Sequence, residues 1–177
     1  MTMHWLKKIL TKKYTEEEQV FFEFLRINKI LHSLSDNELD KIKPLLYKRD
    51  YVKDEVVFFR KDPSQAVYIM KSGKVNFMLD LDSSEEKIVT IRKGTLFGQN
   101  GIIENTRRNY NAIVTSEKAE IYVIPQQSIL ELFSKDERLK AKVMENYTAY
   151  YASYVTKMFS SYRKNLGFFE INQVYKN

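Results

Sequence analysis

The segment between Tyr51 and Ile124 consists of short runs of β-branched and aromatic residues that are separated by turn-forming residues. Such runs favour strands, and sequences such as Asp62-Pro63-Ser64 and Ser72-Gly73 favour the turns that join them. The runs do not alternate with helical segments, so a parallel sheet with crossover helices is not expected. The pattern predicts an antiparallel sandwich, jelly roll or small barrel, with strands over residues 56–59, 66–70, 75–81, 88–91, 111–114 and 121–124.

Alternation along these strands should divide their side chains between the core and the surface. We expect the core to take aliphatic and aromatic side chains from several of the runs: Val57, Phe59, Tyr68, Val75, Phe77, Ile91, Phe97 and Ile121. A shift of one residue moves a side chain to the opposite face of a sheet, so burial tests each of these assignments.

Helical patterns flank the β-region on both sides. Ser/Thr-x-x-Glu capping boxes at Thr15, Ser35 and Ser134 each precede residues with helical apolar spacing, and Pro125 fits the start of a short helix. The first two boxes should begin helices whose apolar stripes pack on the β-region. These stripes are Val20, Phe21, Phe24, Leu25 and Leu31 in the first helix, and Leu39, Ile42, Leu45 and Leu46 in the second.

The segment from Lys135 to Asn165 contains neither proline nor glycine, and Gly167 is placed to end a helix. We therefore expect one long helix, whose aromatic and apolar stripe is wider than a coiled-coil seam. Packing on its own β-domain is the simpler explanation of this stripe, but its width favours a second contact with another copy of the chain. The residues expected in that homodimer contact are Tyr147, Tyr151, Tyr154, Val155, Met158 and Tyr162.

Composition limits the cellular compartment and the kinds of metal site and cross-link that this sequence can have. The sequence has no cysteine, which excludes disulfides and thiolate metal sites, and His4 and His32 have no metal-ligand spacing to other residues. Lysines interrupt the apolar part of the N-terminus before it reaches the length of a signal peptide, and no later run approaches a membrane span. We expect a cytoplasmic protein. Much of the net charge of +6 lies in the first thirteen residues and the other lysines are spread along the chain, so charge alone indicates no particular partner.

Three parts follow from these patterns: a basic amphipathic segment over 1–14, a β-domain with its N-terminal helices over 15–134, and the long helix and tail over 135–177. In the first part, four apolar residues should share one helical face and dock on the domain rather than on a membrane, because one short helix buries little apolar area. These residues are Trp5, Leu6, Ile9 and Leu10.

Three motifs in this order carry a family resemblance over roughly residues 30–135: Leu31-x-x-Leu34-Ser35-x-x-Glu38-Leu39, then Asp62-Pro63-Ser64-Gln65-Ala66-Val67-Tyr68-Ile69-Met70-Lys71-Ser72-Gly73-Lys74-Val75, then Gly94-Thr95-Leu96-Phe97-Gly98-Gln99. They resemble the first helix, the central hairpin and the phosphate-binding cassette of the cyclic-nucleotide-binding domain, as found in catabolite-activator-like proteins. The resemblance implies a mainly β fold with flanking helices (α+β): an antiparallel jelly roll, or double-stranded β-helix, with N-terminal helices and a long C-terminal helix.

A cyclic phosphate is a compact anion, which backbone N–H groups and a guanidinium hold well. The resemblance places the family's phosphate-binding arginine at Arg108 and its ribose-binding glutamate at Gln99, while Gly98 and Gly101 allow close approach of the backbone. The implied ligand is cyclic AMP or cyclic GMP, and no cofactor is required. The candidate ligand-binding residues are Gly98, Gln99, Asn100, Gly101, Arg107, Arg108, Tyr110 and Asn111.

The sequence departs from the family pattern at several positions. Gln99 brings no charge to the place of the glutamate, and Tyr110 is bulky where the ligand needs room. We expect Tyr110 to fill the pocket and cyclic AMP to bind weakly or not at all. Asp54 and Lys61 replace two turn glycines of the family, which bears on stability more than on the ligand.

We expect a non-enzymatic regulatory module that acts on a partner through its C-terminal helix, with weak or lost nucleotide binding. A genuine cyclic AMP or cyclic GMP sensor is the first alternative, and the effector domain of a transcription regulator without its helix-turn-helix is the second. About a dozen residues follow Asn165, too few for the helices of a DNA-binding domain. An enzyme of the β-barrel oxygenase or isomerase type is disfavoured, because the strand region contains no histidine.

Overall fold

A computed structural model describes residues 12–81 and 84–166, so the prediction for Trp5, Leu6, Ile9 and Leu10 and the stop at Gly167 lie outside the described residues. The described residues confirm the antiparallel β fold with flanking helices and a long C-terminal helix. The helices are α1 (Glu16–Arg26), α2 (Asp36–Ile42), α3 (Gln126–Lys135) and α4 (Glu137–Leu166). The strands are β1 (Tyr47–Val52), β2 (Val56–Phe58), β3 (Ala66–Ser72), β4 (Val75–Leu81), β5 (Ser84–Ile91), β6 (Leu96–Phe97), β7 (Asn111–Val114) and β8 (Lys118–Pro125).

Two four-stranded sheets form a sandwich, with strand orders β1-β8-β3-β6 and β2-β7-β4-β5. Every pair of neighbouring strands is antiparallel, for example Tyr68 opposite Val123 and Phe77 opposite Val89. The inward residues of both sheets make one hydrophobic cluster, and the helices make a second against the outer face of the first sheet. The sandwich therefore has a separate core on each side of the first sheet.

Burial confirms most of the core expected from the sequence, namely Tyr68, Val75, Phe77, Ile91, Phe97 and Ile121. The prediction for Phe59 is wrong, since 57% of its surface is exposed. Strand β2 ends at Phe58, which takes the inward position, so the next residue points outward and begins the turn. Val57 is partly buried against the same cluster.

The first two capping boxes are confirmed: the backbone N–H of Thr15 donates to Glu18 (3.0 Å), and that of Ser35 donates to Glu38 (2.7 Å). In α1 the expected stripe is wrong at Val20, which is 71% exposed, whereas Phe22 is fully buried. Phe22 faces inward together with Leu25, and Val20, two residues before Phe22, lies about 200° away around the helix and points outward.

The third capping box is wrong, and the long helix begins at Glu137 rather than at Lys135. Lys135 ends α3, and the Ser134 hydroxyl donates to the carbonyl of Glu131 inside that helix. Asp136 breaks the helical backbone and accepts a hydrogen bond from the N–H of Leu139 at 3.0 Å. The carboxylate of Asp136 therefore takes the capping role, because its oxygen reaches the free N–H groups of the next helix.

The first turns of α4 are anchored on the domain. Leu139 and Val143 are buried in the helical cluster, and Lys142 forms an ion pair with Glu38 at 2.9 Å. The side-chain amide of Asn146 donates to the carbonyl of Ile30 at 2.9 Å. Beyond these turns the helix becomes exposed. Within the described residues, no helix is long and apolar enough to cross a bilayer.

Candidate functional site

The cassette begins where β6 ends, and two glycines set its backbone. Gly98 has a left-handed φ of 63° and precedes a 3-10 helix over Gln99–Ile102. A Cβ on Gly98 would lie 2.7 Å from Nη1 of Arg108, and one on Gly101 would lie 2.2 Å from the carbonyl oxygen of Ala66. Both contacts are too short for a side chain, so the cassette packs against β3 and Arg108 only because these positions are glycine.

Arg108 is directed into the protein and only 4% of its surface is exposed. Its Nη1 donates to the carbonyl oxygen of Gly98 at 2.8 Å, and its Nη2 donates to that of Ala66 at 2.7 Å. The guanidinium carbon lies 4.3 Å from the ring centre of Phe58 and 5.5 Å from that of Tyr68. Burial lowers the pKa of Arg108, although an arginine remains charged at neutral pH. The side chain thus fastens the cassette to β3.

Tyr110 also points inward. Its ring stacks on that of Phe77, with centres 4.0 Å apart and planes 20° apart, and it lies 5.8 Å from the ring of Phe58. Burial raises the pKa of the Tyr110 hydroxyl above its ordinary value, so the group is protonated at neutral pH. The ring is therefore part of the sandwich core and occupies space beside the cassette.

A cavity of about 300 Å³ remains between the cassette, the β4–β5 hairpin and α4. From the cassette it is lined by Gly98, Gln99, Asn100, Arg108, Asn109 and Tyr110. Apolar side chains of the hairpin form one wall: Phe77, Ile88, Val89 and Ile91. Three tyrosines of α4 form the other: Tyr150, Tyr151 and Tyr154. The site is a small, mainly apolar cavity with one buried cation, and α4 is part of its wall.

Three candidate residues do not line this cavity. Gly101 packs on β3 at the far side of the 3-10 helix, and Arg107 donates to the carbonyl of Lys61 at 2.7 Å on the surface. The amide of Asn111 donates to both carboxylate oxygens of Asp80, at 3.0 and 3.1 Å, and accepts from the N–H of Arg60 at 2.7 Å. The structure thus gives these three residues contacts within the scaffold.

The residues expected in the dimer contact divide along α4. Tyr147 packs on the helical cluster and lies 6.2 Å, between ring centres, from Tyr151, while Val155 is partly buried. Tyr151 and Tyr154 line the cavity and are nevertheless 48% and 45% exposed. Farther along the helix, Met158 and Tyr162 are 49% and 41% exposed.

Sequence reasoning missed several residues of the site. Ile88 and Val89 lie next to the cassette because β5 pairs with β4, and their polar surroundings in the sequence gave little signal. Phe58 and Tyr68 lie against the guanidinium of Arg108, and this contact depends on the packing of two sheets. A search for aromatic residues near the arginine in space, rather than in sequence, would have been needed to find them.

Two relatives share part of this chain. The cyclic AMP receptor protein of Thermus thermophilus is 26% identical over 107 residues, which cover 60% of this chain and 49% of the receptor. The cAMP-dependent protein kinase regulatory subunit of Hypocrea atroviridis is 25% identical over 111 residues, which cover 63% of this chain and 23% of the subunit. This chain therefore spans about half the length of the first relative and less than a quarter of the length of the second.

The fold itself is shared with a solved structure of a cyclic nucleotide-binding domain from Methylobacillus flagellatus. The two superpose with a TM-score of 0.70 at 18% sequence identity, over 86% of this chain and 87% of that one. The sequence profile of the cyclic nucleotide-binding domain matches residues 48–136, from β1 to the residue before α4. Because that match spans half of the sequence, the chain belongs to the cyclic nucleotide-binding domain family.

Proposed function

We propose that this chain is a non-enzymatic regulatory module in which cyclic nucleotide binding is weak or lost and which acts through α4. The single observation that carries the proposal is the stacking of Tyr110 on Phe77 at 4.0 Å, within the cavity beside the cassette. A ribose or purine would have to displace this ring, at the cost of an aromatic contact in the core.

Two further features of the cassette support weak binding. Gln99 lines the cavity where the family has its glutamate, and a neutral acceptor contributes about 1 kcal/mol less than a charged one, or some fivefold in affinity. Arg108 already donates to the carbonyl oxygens of Gly98 and Ala66. A phosphate would compete with these two bonds or would have to use the remaining N–H groups of the guanidinium.

We also propose that the module is a cytoplasmic homodimer that pairs through α4. The face of α4 that carries Tyr151 and Met158 is about half exposed over two turns, which is unusual for large apolar side chains grouped on one surface. An isologous contact would cover this face on both copies. Because Tyr150 and Tyr154 also line the cavity, its occupancy can be coupled to the position of the helix.

A second function, a sensor that binds cyclic AMP or cyclic GMP, is favoured by the cavity itself. About 300 Å³ lies beside the cassette, with Arg108 in its lining, and pockets for small ligands begin at about this volume. The names of the two relatives, a cyclic AMP receptor protein and a cAMP-dependent protein kinase regulatory subunit, also favour this function.

Calorimetric titration of the full chain with cyclic AMP and cyclic GMP separates the two functions. We expect dissociation constants weaker than about 10 μM, and a gain of about tenfold or more in a variant with Gln99→Glu and Tyr110→Ala, which restores a charged acceptor and opens space. Gln19→Glu with Tyr47→Ala is the matched control, since both side chains are exposed and neither lines the cavity, and it should gain nothing. Wild-type binding tighter than about 10 μM would establish the sensor instead.

A further inference from the structure

The cavity contains a buried cation without a carboxylate partner. Among the described residues, no acidic side chain lies within ion-pair distance of Arg108, although Tyr68 and the more distant Asp62 favour its charged form, and its Nε–H is buried without a hydrogen-bond acceptor. The two carbonyl oxygens that it contacts are neutral, and a guanidinium has more N–H donors than these two can occupy. A buried charge without a counterion in direct contact is unfavourable, so the site is electrostatically suited to receive an anion.

The walls of the cavity favour a ligand with a flat apolar body. Ile88, Val89 and Phe77 line one side, and the rings of Tyr150 and Tyr154 line the other. The remaining polar side chains are neutral, chiefly Gln99, Asn100 and Asn109, and no acidic side chain or lysine belongs to the described lining. A volume of about 300 Å³ lies at the lower end for ligand sites, and Tyr110 has taken part of the space.

We propose that this cavity binds a planar aromatic or alicyclic monocarboxylate that is smaller than a nucleotide. The carboxylate lies toward Arg108 and the ring lies between Ile88 and Tyr154. This inference rests on the proposed function, because it assigns to the same cavity a ligand that needs neither the ribose-binding glutamate nor the space that Tyr110 fills. An anion at this place supplies the counterion that the guanidinium lacks.

Three probes of the full chain test the ligand class: 2-naphthoate, 2-naphthol and cyclic AMP, each followed by fluorescence or calorimetric titration. The first two share one ring system and differ in charge at neutral pH. We expect 2-naphthoate to bind at least about tenfold more tightly than 2-naphthol, because only the carboxylate compensates the buried charge. Equal binding of the two, or tighter binding of 2-naphthol, would overturn the inference.

Charge substitutions at Val89 locate the site without altering Arg108. Val89 lines the cavity and is 41% exposed on the edge strand β5, so either charge can be carried there in solvent. Val89→Glu should weaken 2-naphthoate about fivefold, and Val89→Lys should leave it unchanged or tighten it. Val52→Glu is the control, since Val52 is 55% exposed on β1, an edge strand of the other sheet, and does not line the cavity. An equal loss of 2-naphthoate affinity in Val89→Glu and Val52→Glu would overturn the assignment of the site.

Binding of cyclic AMP and binding of 2-naphthoate test the proposed function and the proposed ligand class separately. Tight binding of cyclic AMP that 2-naphthoate cannot displace would contradict both. Failure of both cyclic AMP and 2-naphthoate to bind would be consistent with the proposed function but would refute the monocarboxylate as the ligand of the cavity. Binding of 2-naphthoate alone, reduced by Val89→Glu, is the result that the structure leads us to expect.

Discussion

The Arg108 side chain holds the cassette in place with two hydrogen bonds and has further N–H groups that these bonds do not use. It joins the carbonyl of Gly98, at the start of the cassette, to the carbonyl of Ala66 on β3. Phe58 and Tyr68 cover its guanidinium, which strengthens both bonds by excluding water. The arginine that the family pattern assigns to ligand binding has therefore acquired a structural role here.

Replacing Arg108 by alanine should lower the free energy of unfolding by about 2–4 kcal/mol. Two hydrogen bonds with a charged donor are lost, and the carbonyl of Ala66 loses this partner, whereas that of Gly98 keeps its bond from the N–H of Gly101. Urea unfolding at neutral pH measures the change. Arg107→Ala is the matched control: it removes an exposed bond to Lys61 and should cost less than about 1 kcal/mol. Equal losses in the two variants would contradict the structural role of Arg108.

Lys61 is expected to destabilise the folded state, since it adopts a left-handed φ of 70° where the family pattern has glycine. Lys61→Gly should raise the free energy of unfolding by up to about 1 kcal/mol, because glycine adopts this conformation without steric strain. The backbone bond from Lys61 to the carbonyl of Arg108 is kept. Lys53→Gly, in the neighbouring turn but outside the left-handed region, should instead be neutral or destabilising. Denaturant curves that rank the two variants in reverse order would disprove the strain at Lys61.

At the scale of elements, a charged cluster joins the first sheet. Glu120 on β8 accepts from Lys48 on β1 at 2.8 Å, and from Lys71 and Ser72 on β3 at 3.3 and 3.1 Å. The hydrogen bond from Lys48, followed by those from Lys71 and Ser72, lowers the pKa of Glu120 to about 2. The carboxylate therefore bridges three strands in its ionised form.

The pH dependence of stability should report this cluster. Because the folded state lowers the pKa of Glu120 from about 4.3, its stabilising contribution is complete above about pH 5 and is lost as the pH falls toward 2. Glu120→Gln should lower the melting temperature at pH 7, and its difference from the wild type should shrink between pH 5 and 2. Glu117→Gln, at a side chain 88% exposed, provides the control and should show a small, pH-independent difference. A constant deficit for Glu120→Gln across this range would rule out its ionisation as the cause.

The elements also show what sequence could predict. Runs such as Ala66–Ser72 have the β-branched and apolar residues of a buried strand, and they were found. Strand β1 (Tyr47–Val52) was missed, because charged residues occupy its exposed face and only Tyr51 is buried. The cassette motif located Arg108, but its partners Gly98 and Ala66 come from different elements, and local patterns hold no information on such contacts.

At the scale of the whole molecule, α4 is held at its start and exposed toward its end. Its first turns are buried at Leu139 and Val143, its middle turns line the cavity with Tyr150 and Tyr154, and Met158 beyond them is half exposed. A helix with this gradient can move at its far end while its base stays fixed to the domain. A second copy that covers the exposed turns would stabilise one of these positions.

The dimer proposed for α4 leads to a test with a matched pair of double variants. Tyr151 and Met158 lie seven residues apart on one face and are 48% and 49% exposed, so glutamates there would place unpaired charges in an isologous contact. Light scattering at micromolar concentration should give a dimer mass for the wild type and a monomer mass for Tyr151→Glu with Met158→Glu.

Ser153→Glu with Ser160→Glu is the control, because each serine follows its counterpart by two residues and lies about 200° around the helix. This variant carries the same added charge on the opposite face and should remain a dimer, which separates loss of the contact from general charge repulsion. A wild-type monomer would refute the dimer. A dimer that survives the first pair of glutamates would place the interface on another surface, and the exposed tyrosines of α4 would then need a different partner to cover them.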